Sequence, residues 1–149
     1  MTTYRYNVDT ETRLAIQELV TEHSYLVDHG RAEELAGLYG PDGELLGLPP
    51  ANLIGRNAIA GWGRDRVRMT NRTSRHIESN LRLEWAGDSL TGLMSVMMFR
   101  SDTDDLTNTT PSMVGNYHDE YVQIDDVWYF RRRRIVRAFA APVLRAQPV

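Results

Sequence analysis

The chain has 149 residues, 42% of them hydrophobic and 25% charged, with a formal net charge of −3; this is the size and balance of one globular domain. It has no cysteine, and all 17 of its basic residues are arginine. Disulfides, thiol nucleophiles, cysteine-held metals, Schiff-base lysines and Walker-type phosphate loops are thereby excluded, and the near-neutral charge argues against a general nucleic-acid surface. No apolar run approaches the ~20 residues that span a bilayer, and no signal peptide opens the chain, so the expected compartment is the cytoplasm.

In chain order, residues 1–8 read as a polar arm. A helix is predicted from Thr10 to His29, with Asp9, Thr10 and Thr12 as capping oxygens and Gly30 as its stop. Its apolar stripe is Ile16, Leu19, Val20, His23, Leu26 and Val27. Arg31–Tyr39 reads as a short helix, Gly40-Pro41-Asp42-Gly43 as a turn, and Glu44–Leu48 as a short strand stopped by Pro49-Pro50. A third helix is expected over Asn57–Met69, carrying Ile59, Trp62 and Val67.

The second half changes period. Arg75–Trp85 alternates, with Ile77, Leu81, Leu83 and Trp85 on one face, and Ala86-Gly87-Asp88 turns the chain. Leu90–Phe99 is apolar on both faces, as a central strand would be, and a polar loop follows over Ser101–Pro111. Met113–Ile124 and Trp128–Phe139 read as two more long strands joined at Asp125-Asp126, with residues 138–149 as a tail. Helices followed by a meander of long strands make an α+β pattern in a single domain, most simply one curved, mainly antiparallel sheet around the first helix.

The first helix carries a polar row, Thr21, Ser24, Tyr25 and Asp28, beside its apolar stripe. Asp28 sits where the helix dipole disfavours a carboxylate by ~0.3–1 kcal/mol. It reads either as a solvated aspartate before a turn or as a group held to orient a partner. Histidine is the side chain whose ordinary pKa lies nearest neutrality, which makes His76 the best candidate for a general base. Strict alternation puts it with Glu78, Asn80, Arg82 and Glu84, opposite the apolar face, so a role in a pocket requires a bulge near Glu78 or a polar cavity on that side. His23 reads as a satisfied core histidine, and His29 and His118 as surface or interface residues. The run Arg131–Arg134, with Arg137, lies inside a strand pattern, so its members alternate between faces. Some would cover an oligomer surface, and one would enter a cavity to hold an anion. No metal-ligand spacing or GxGxxG loop is present, so no metal or other cofactor is expected.

The ordered set Tyr25-Leu26-Val27-Asp28-His29-Gly30, Leu38-Tyr39, Ile54-Gly55-Arg56, Arg75-His76 with Asn80, Gly87-Asp88, Gly115–Tyr121 and Asp126-Val127-Trp128 resembles the SnoaL-like branch of the nuclear transport factor 2-like superfamily, over about residues 10–137. The resemblance implies a cystatin-like α+β barrel: a strongly bent sheet closed by helices into a cone with a deep apolar cavity. Members of the scytalone dehydratase, lindane dehydrochlorinase and bile-acid dehydratase types use a histidine base oriented by an aspartate near the end of the first helix, positions matched here by His76 and Asp28. An arginine of the last strand also serves them, with Arg133 the best match and Arg131 second. A lysine used by lindane dehydrochlorinase has no counterpart in this lysine-free chain.

These features together imply a cofactor-independent lyase of dehydratase or dehydrohalogenase type, acting on a small apolar or cyclic substrate. His76 would be the base and Asp28 its orienting partner. Tyr25, Tyr117 and Arg133 would hydrogen-bond a developing anion, and Trp62 and Met94 would shape the apolar pocket. An isomerase or polyketide-type cyclase using the same pair is the alternative. From another class come a non-catalytic ligand-binding protein and the small subunit of an aromatic-ring dioxygenase. A homodimer or homotrimer is expected, with neither nucleic acid nor membrane as partner.

Overall fold

The structure, a computed structural model, describes residues 7–48 and 52–140. Helix α1 (Thr10–Asp28) starts where Asp9 accepts hydrogen bonds from the Thr12 backbone N–H at 2.9 Å and the Thr12 hydroxyl at 2.7 Å, a side-chain cap for otherwise orphaned donors. Ile16, Leu19, Val20, His23 and Val27, at helical spacing, form its buried face. A 3₁₀ helix follows at Ala32–Leu38, then β1 (Tyr39–Leu46), β2 (Leu53–Ile54) and α2 (Gly55–Arg68). Four long strands complete the fold: β3 (Thr73–Ala86), β4 (Ser89–Ser101), β5 (Met113–Ile124) and β6 (Val127–Ala140).

The six strands form one sheet in the order β2-β1-β6-β5-β4-β3, antiparallel except where β1 runs parallel to β6. α1 packs against both β3, at the sheet's edge, and β6, three strands away, so the sheet curls about the helix. The core lies between them, with Ile16, Leu26, Leu35, Tyr39, Leu45, Ile59, Leu90 and Phe130 almost wholly removed from solvent. α2 closes one side against the 3₁₀ helix and β1. The approach is tight: a Cβ on Gly63 would stand 2.1 Å from the Ala32 carbonyl oxygen. The α+β expectation therefore holds, with a mixed sheet.

Two irregularities decide which side chains point inward. On β3, Ser79 pairs with Ser95 but Arg82 pairs with Leu93, three steps against two. The extra residue is absorbed at Asn80, which takes a left-handed φ of 59°, a conformation asparagine tolerates better than most. Before the bulge the even-numbered Ser74, His76 and Glu78 point inward; after it the odd-numbered Leu81, Leu83 and Trp85 do. On β6, Phe130 pairs with Tyr121 and Arg132 with Glu120, leaving Arg131 as the extra residue, so that both Phe130 and Arg133 face the core.

Several sequence-based boundaries and faces change. Ile77 is 55% exposed and lies outside the inner face, because the bulge separates its register from that of Leu81. Leu93 and Met97 of β4 are 40% and 37% exposed, so that strand buries one face rather than two. Tyr39 pairs with Phe130 and Glu44 with Arg132, so Gly40–Gly43 bulges within β1 instead of ending a helix. Val8 is core, at 4% exposure, rather than part of a polar arm. Pro49-Pro50 and most of the expected tail lie outside the described residues.

Candidate active site

Asp28 ends α1, and β3 passes beneath it. The carboxylate receives three hydrogen bonds: Oδ1 accepts from Ser74 Oγ at 2.7 Å and from His76 Nδ1 at 2.8 Å, and Oδ2 accepts from the His76 backbone N–H at 2.7 Å. Arg66 of α2, itself buried, donates through Nη2 to Ser74 Oγ at 3.2 Å. The side chains of Asp28 and His76 keep 5% and 11% of their surface. Burial would raise the Asp28 pKa, but the His76 ring, Ser74 and the His76 backbone outweigh it and hold the carboxyl below its ordinary value. These bonds offset the unfavourable helix end. With an ionised acceptor on Nδ1, the imidazole carries its proton there and leaves the lone pair on Nε2.

Beside this pair stands a second polar cluster. Arg133 is fully buried and grips Asp119 with two prongs, Nε to Oδ1 at 3.0 Å and Nη2 to Oδ2 at 2.7 Å. Tyr121 donates its hydroxyl proton to Asp119 Oδ2 at 2.9 Å. Gly92 makes room for that hydroxyl, since a Cβ there would stand 2.7 Å from it. The guanidinium lies over the rings of Tyr117 and Phe130, 4.1 and 4.3 Å from their centroids, with Met94 Sδ 3.8 Å from Nη2. Burial works against the charge, but Asp119 more than compensates and raises the arginine's pKa. Among the described residues, Nη1 finds no hydrogen-bond acceptor; its nearest carboxylate oxygen is Glu78 Oε1 at 3.9 Å. Glu78 in turn accepts a hydrogen bond from Ser24 Oγ of α1.

The residues singled out in the sequence are thus divided. Asp28 and His76 meet. Arg133, Tyr117 and Met94 share the neighbouring cluster, whereas Arg131 is exposed in its bulge. Tyr25 does not join them: it lies on the side of α1 away from the core, 43% exposed and stacked on His29 with ring centroids 4.3 Å apart. Trp62 is half-buried on α2, packed against the core. His23 is a satisfied core histidine, its Nε2 2.9 Å from the Tyr39 hydroxyl.

Sequence reasoning missed Ser74, Glu78, Asp119 and Arg66 as partners. Ser74 and Glu78 share the parity of His76, a usable signal. Asp119 lies directly opposite Arg133, which only the register reveals. No three His, Cys, Asp or Glu side chains gather as metal ligands among the described residues. Two grooves, of about 810 and 560 Å³, lie on the outside: one between α1 and the β5–β6 turn, the other on the outer sheet face.

Comparison with known proteins matches the SnoaL-like domain over residues 8–134. The chain belongs to the SnoaL-like family. Among solved structures, this SnoaL-like protein is similar to a proposed scytalone dehydratase from Novosphingobium aromaticivorans, at 24% identity and a TM-score of 0.72 over 93% of this chain and 100% of that one. It is similar to a type 2 hexachlorocyclohexane dehydrochlorinase at 21% identity and a TM-score of 0.73, covering 89% of this chain and 88% of that one. A protein of unknown function from Mycobacterium tuberculosis aligns at 21% identity and a TM-score of 0.73, over 93% and 78% of the two chains. Likeness at such identities shows a shared fold, described as cystatin-like in other solved structures similar to this chain. Comparison with curated proteins finds no match.

Proposed function

We propose that this SnoaL-like protein is a cofactor-independent lyase that removes a proton from carbon in a small, mostly apolar cyclic substrate and expels a group from the adjacent carbon. The observation that carries this reading is the three-bonded Asp28 carboxylate holding the His76 ring by Nδ1. Nε2 is then the base. Asp28 fixes the tautomer and stabilises the imidazolium that forms, a contribution shared with hydrolase dyads. Arg133 Nη1, buried and without an acceptor among the described residues, supplies a preorganised donor for the negative charge that develops on the substrate. Tyr117 and Met94 would form the apolar wall behind that donor, with Trp62 on the α2 side.

The family resemblance and the dehydratase and dehydrochlorinase among the similar structures support the same class. The test is a panel of cyclic ketones with hydroxyl, ester or halide groups at the β-carbon, incubated in D₂O with a chelator present. Elimination, or deuterium uptake at the α-carbon, should occur with the wild-type protein and collapse in His76→Ala. Tight binding of the panel with neither exchange nor elimination would instead identify a ligand-binding protein.

A further inference from the structure

Glu78 is a carboxyl group in an unusual setting. It stands two residues from His76 on the same inner face of β3, so the two side chains leave the strand roughly 6.7 Å apart. Its side chain keeps 11% of its surface, as does that of His76. One oxygen is held by Ser24 Oγ from α1. The nearby cation forms only a long ion pair with it and no hydrogen bond: Arg133 directs two of its three nitrogens at Asp119, and Nη1 remains 3.9 Å from Glu78 Oε1. The inner face thus brings together three groups: the His76 ring, whose Nδ1 is held by Asp28, the Arg133 Nη1, without an acceptor among the described residues, and the carboxyl group of Glu78.

We propose that Glu78 is the general acid of this site, protonating the hydroxyl group that departs when the substrate is a β-hydroxy ketone of the panel above. The proposal rests on His76 being the base. His76 Nε2 takes the α-proton, and the C–H electron pair becomes the new C=C bond. The carbonyl oxygen gathers charge against Arg133 Nη1. The C–O bond breaks as Glu78 gives its proton to the leaving oxygen, which departs as water. Glu78 is left as carboxylate and His76 as imidazolium; transfer of that proton back through solvent restores both. Hydroxide is a poor leaving group, so an acid beside the base is what separates a dehydratase from an enzyme that expels halide.

The electrostatics agree with the geometry. Burial raises the Glu78 pKa, and the Arg133 charge, the Ser24 hydrogen bond and His76 do not reverse it, with Asp119 adding to the rise.

Two probes on one ring test this: β-hydroxycyclohexanone, whose leaving group needs a proton, and β-(p-nitrophenoxy)cyclohexanone, whose leaving group does not. Glu78→Gln should slow elimination from the hydroxy probe by roughly 10²–10⁴-fold and from the nitrophenoxy probe far less. His76→Ala should slow both. Equal losses on the two probes in Glu78→Gln, with His76→Ala inactive, would overturn the acid while leaving the base intact. His76→Ala active on both, or a wild-type protein inactive on both, would overturn the base and this proposal with it. A measurement on the unaltered protein stands beside the variants: ¹³C-carboxyl NMR, with Glu78→Gln for assignment, should show Glu78 still protonated above the ordinary glutamate range. Titration at or below that range would overturn the proposal whatever the kinetics.

Discussion

The ring and the backbone N–H of His76 both donate to the carboxylate of Asp28, at 2.8 and 2.7 Å. One aspartate at the end of a helix therefore sets both the strand's position and the tautomer of the imidazole. His76→Ala should lower turnover by roughly 10²–10⁴-fold. Asp28→Asn keeps the shape but loses the charge, and should also be severe. The double variant should lose little beyond the worse single one, because the pair acts as a unit; steady-state kinetics on the cyclic ketone panel check this, and additive losses would show independent roles.

Asn80 provides a test of the bulge. Its φ of 59° is tolerated by glycine and asparagine but costs a β-branched residue about 1–2 kcal/mol or more. Asn80→Gly should leave stability and activity near wild type. Asn80→Val should destabilise by about that amount and reduce activity, since straightening β3 would turn Ser74, His76 and Glu78 outward or displace Leu81 and Leu83. Urea denaturation and kinetics on the same preparations make the comparison; a neutral Asn80→Val would mean the bulge is not under constraint.

The Arg133–Asp119 pair has neither side chain exposed, so removing one partner strands the other charge in the core. Arg133→Met should cost about 3–5 kcal/mol. Arg133→Met with Asp119→Leu should recover part of that, because no unpaired charge remains. Denaturant titrations of the two singles and the double give the coupling; simple additivity would contradict a desolvated pair.

Acid should weaken the fold through His23. Burial first, then Arg133 and His76, push its pKa well below the ordinary histidine value of 6.5. The unfolded chain then takes up a proton that the folded one refuses. This contribution is fully present above the unfolded pKa and is lost as pH falls below about 6.5, by at most about 1.4 kcal/mol per pH unit for one proton. Asp28, whose pKa is also lowered, adds a further loss at lower pH, below the ordinary aspartate value. Stability measured in urea between pH 7 and 5 should fall accordingly, and His23→Gln should flatten the slope.

The outer face of the sheet is predicted to join a second copy of the chain, as a dimer in preference to a trimer. Ile77, Leu93, Met97, Val136 and Phe139 are all exposed there, by 37–71%, beside Arg82, Glu84, Glu120, Arg132 and Arg134. Apolar groups with both signs of charge on one face suit a self-complementary contact. Light scattering should give a multiple of the 17.0 kDa chain mass, reduced by Met97→Glu; a wild-type monomer at micromolar concentration would sink this.

Local physics made much of this protein legible in its sequence. The 3.6-residue stripe of Ile16, Leu19, Val20, His23 and Val27 specifies α1 and its buried face, and the period of two marks the long strands, because both patterns arise within one element. Asp28 and His76 were recognisable by residue type and family position. Their meeting was not, since it depends on the angle at which α1 crosses β3. The inward turn of His76 depends on one extra residue at Asn80, and a bulge shifts parity without altering composition. Strand register sets Asp119 opposite Arg133, 14 positions apart, and the curl of the sheet carries Glu78, 55 positions away, to within 3.9 Å of the arginine's Nη1. Contacts of that separation are set by the packing of the whole sheet around α1, which no local pattern encodes.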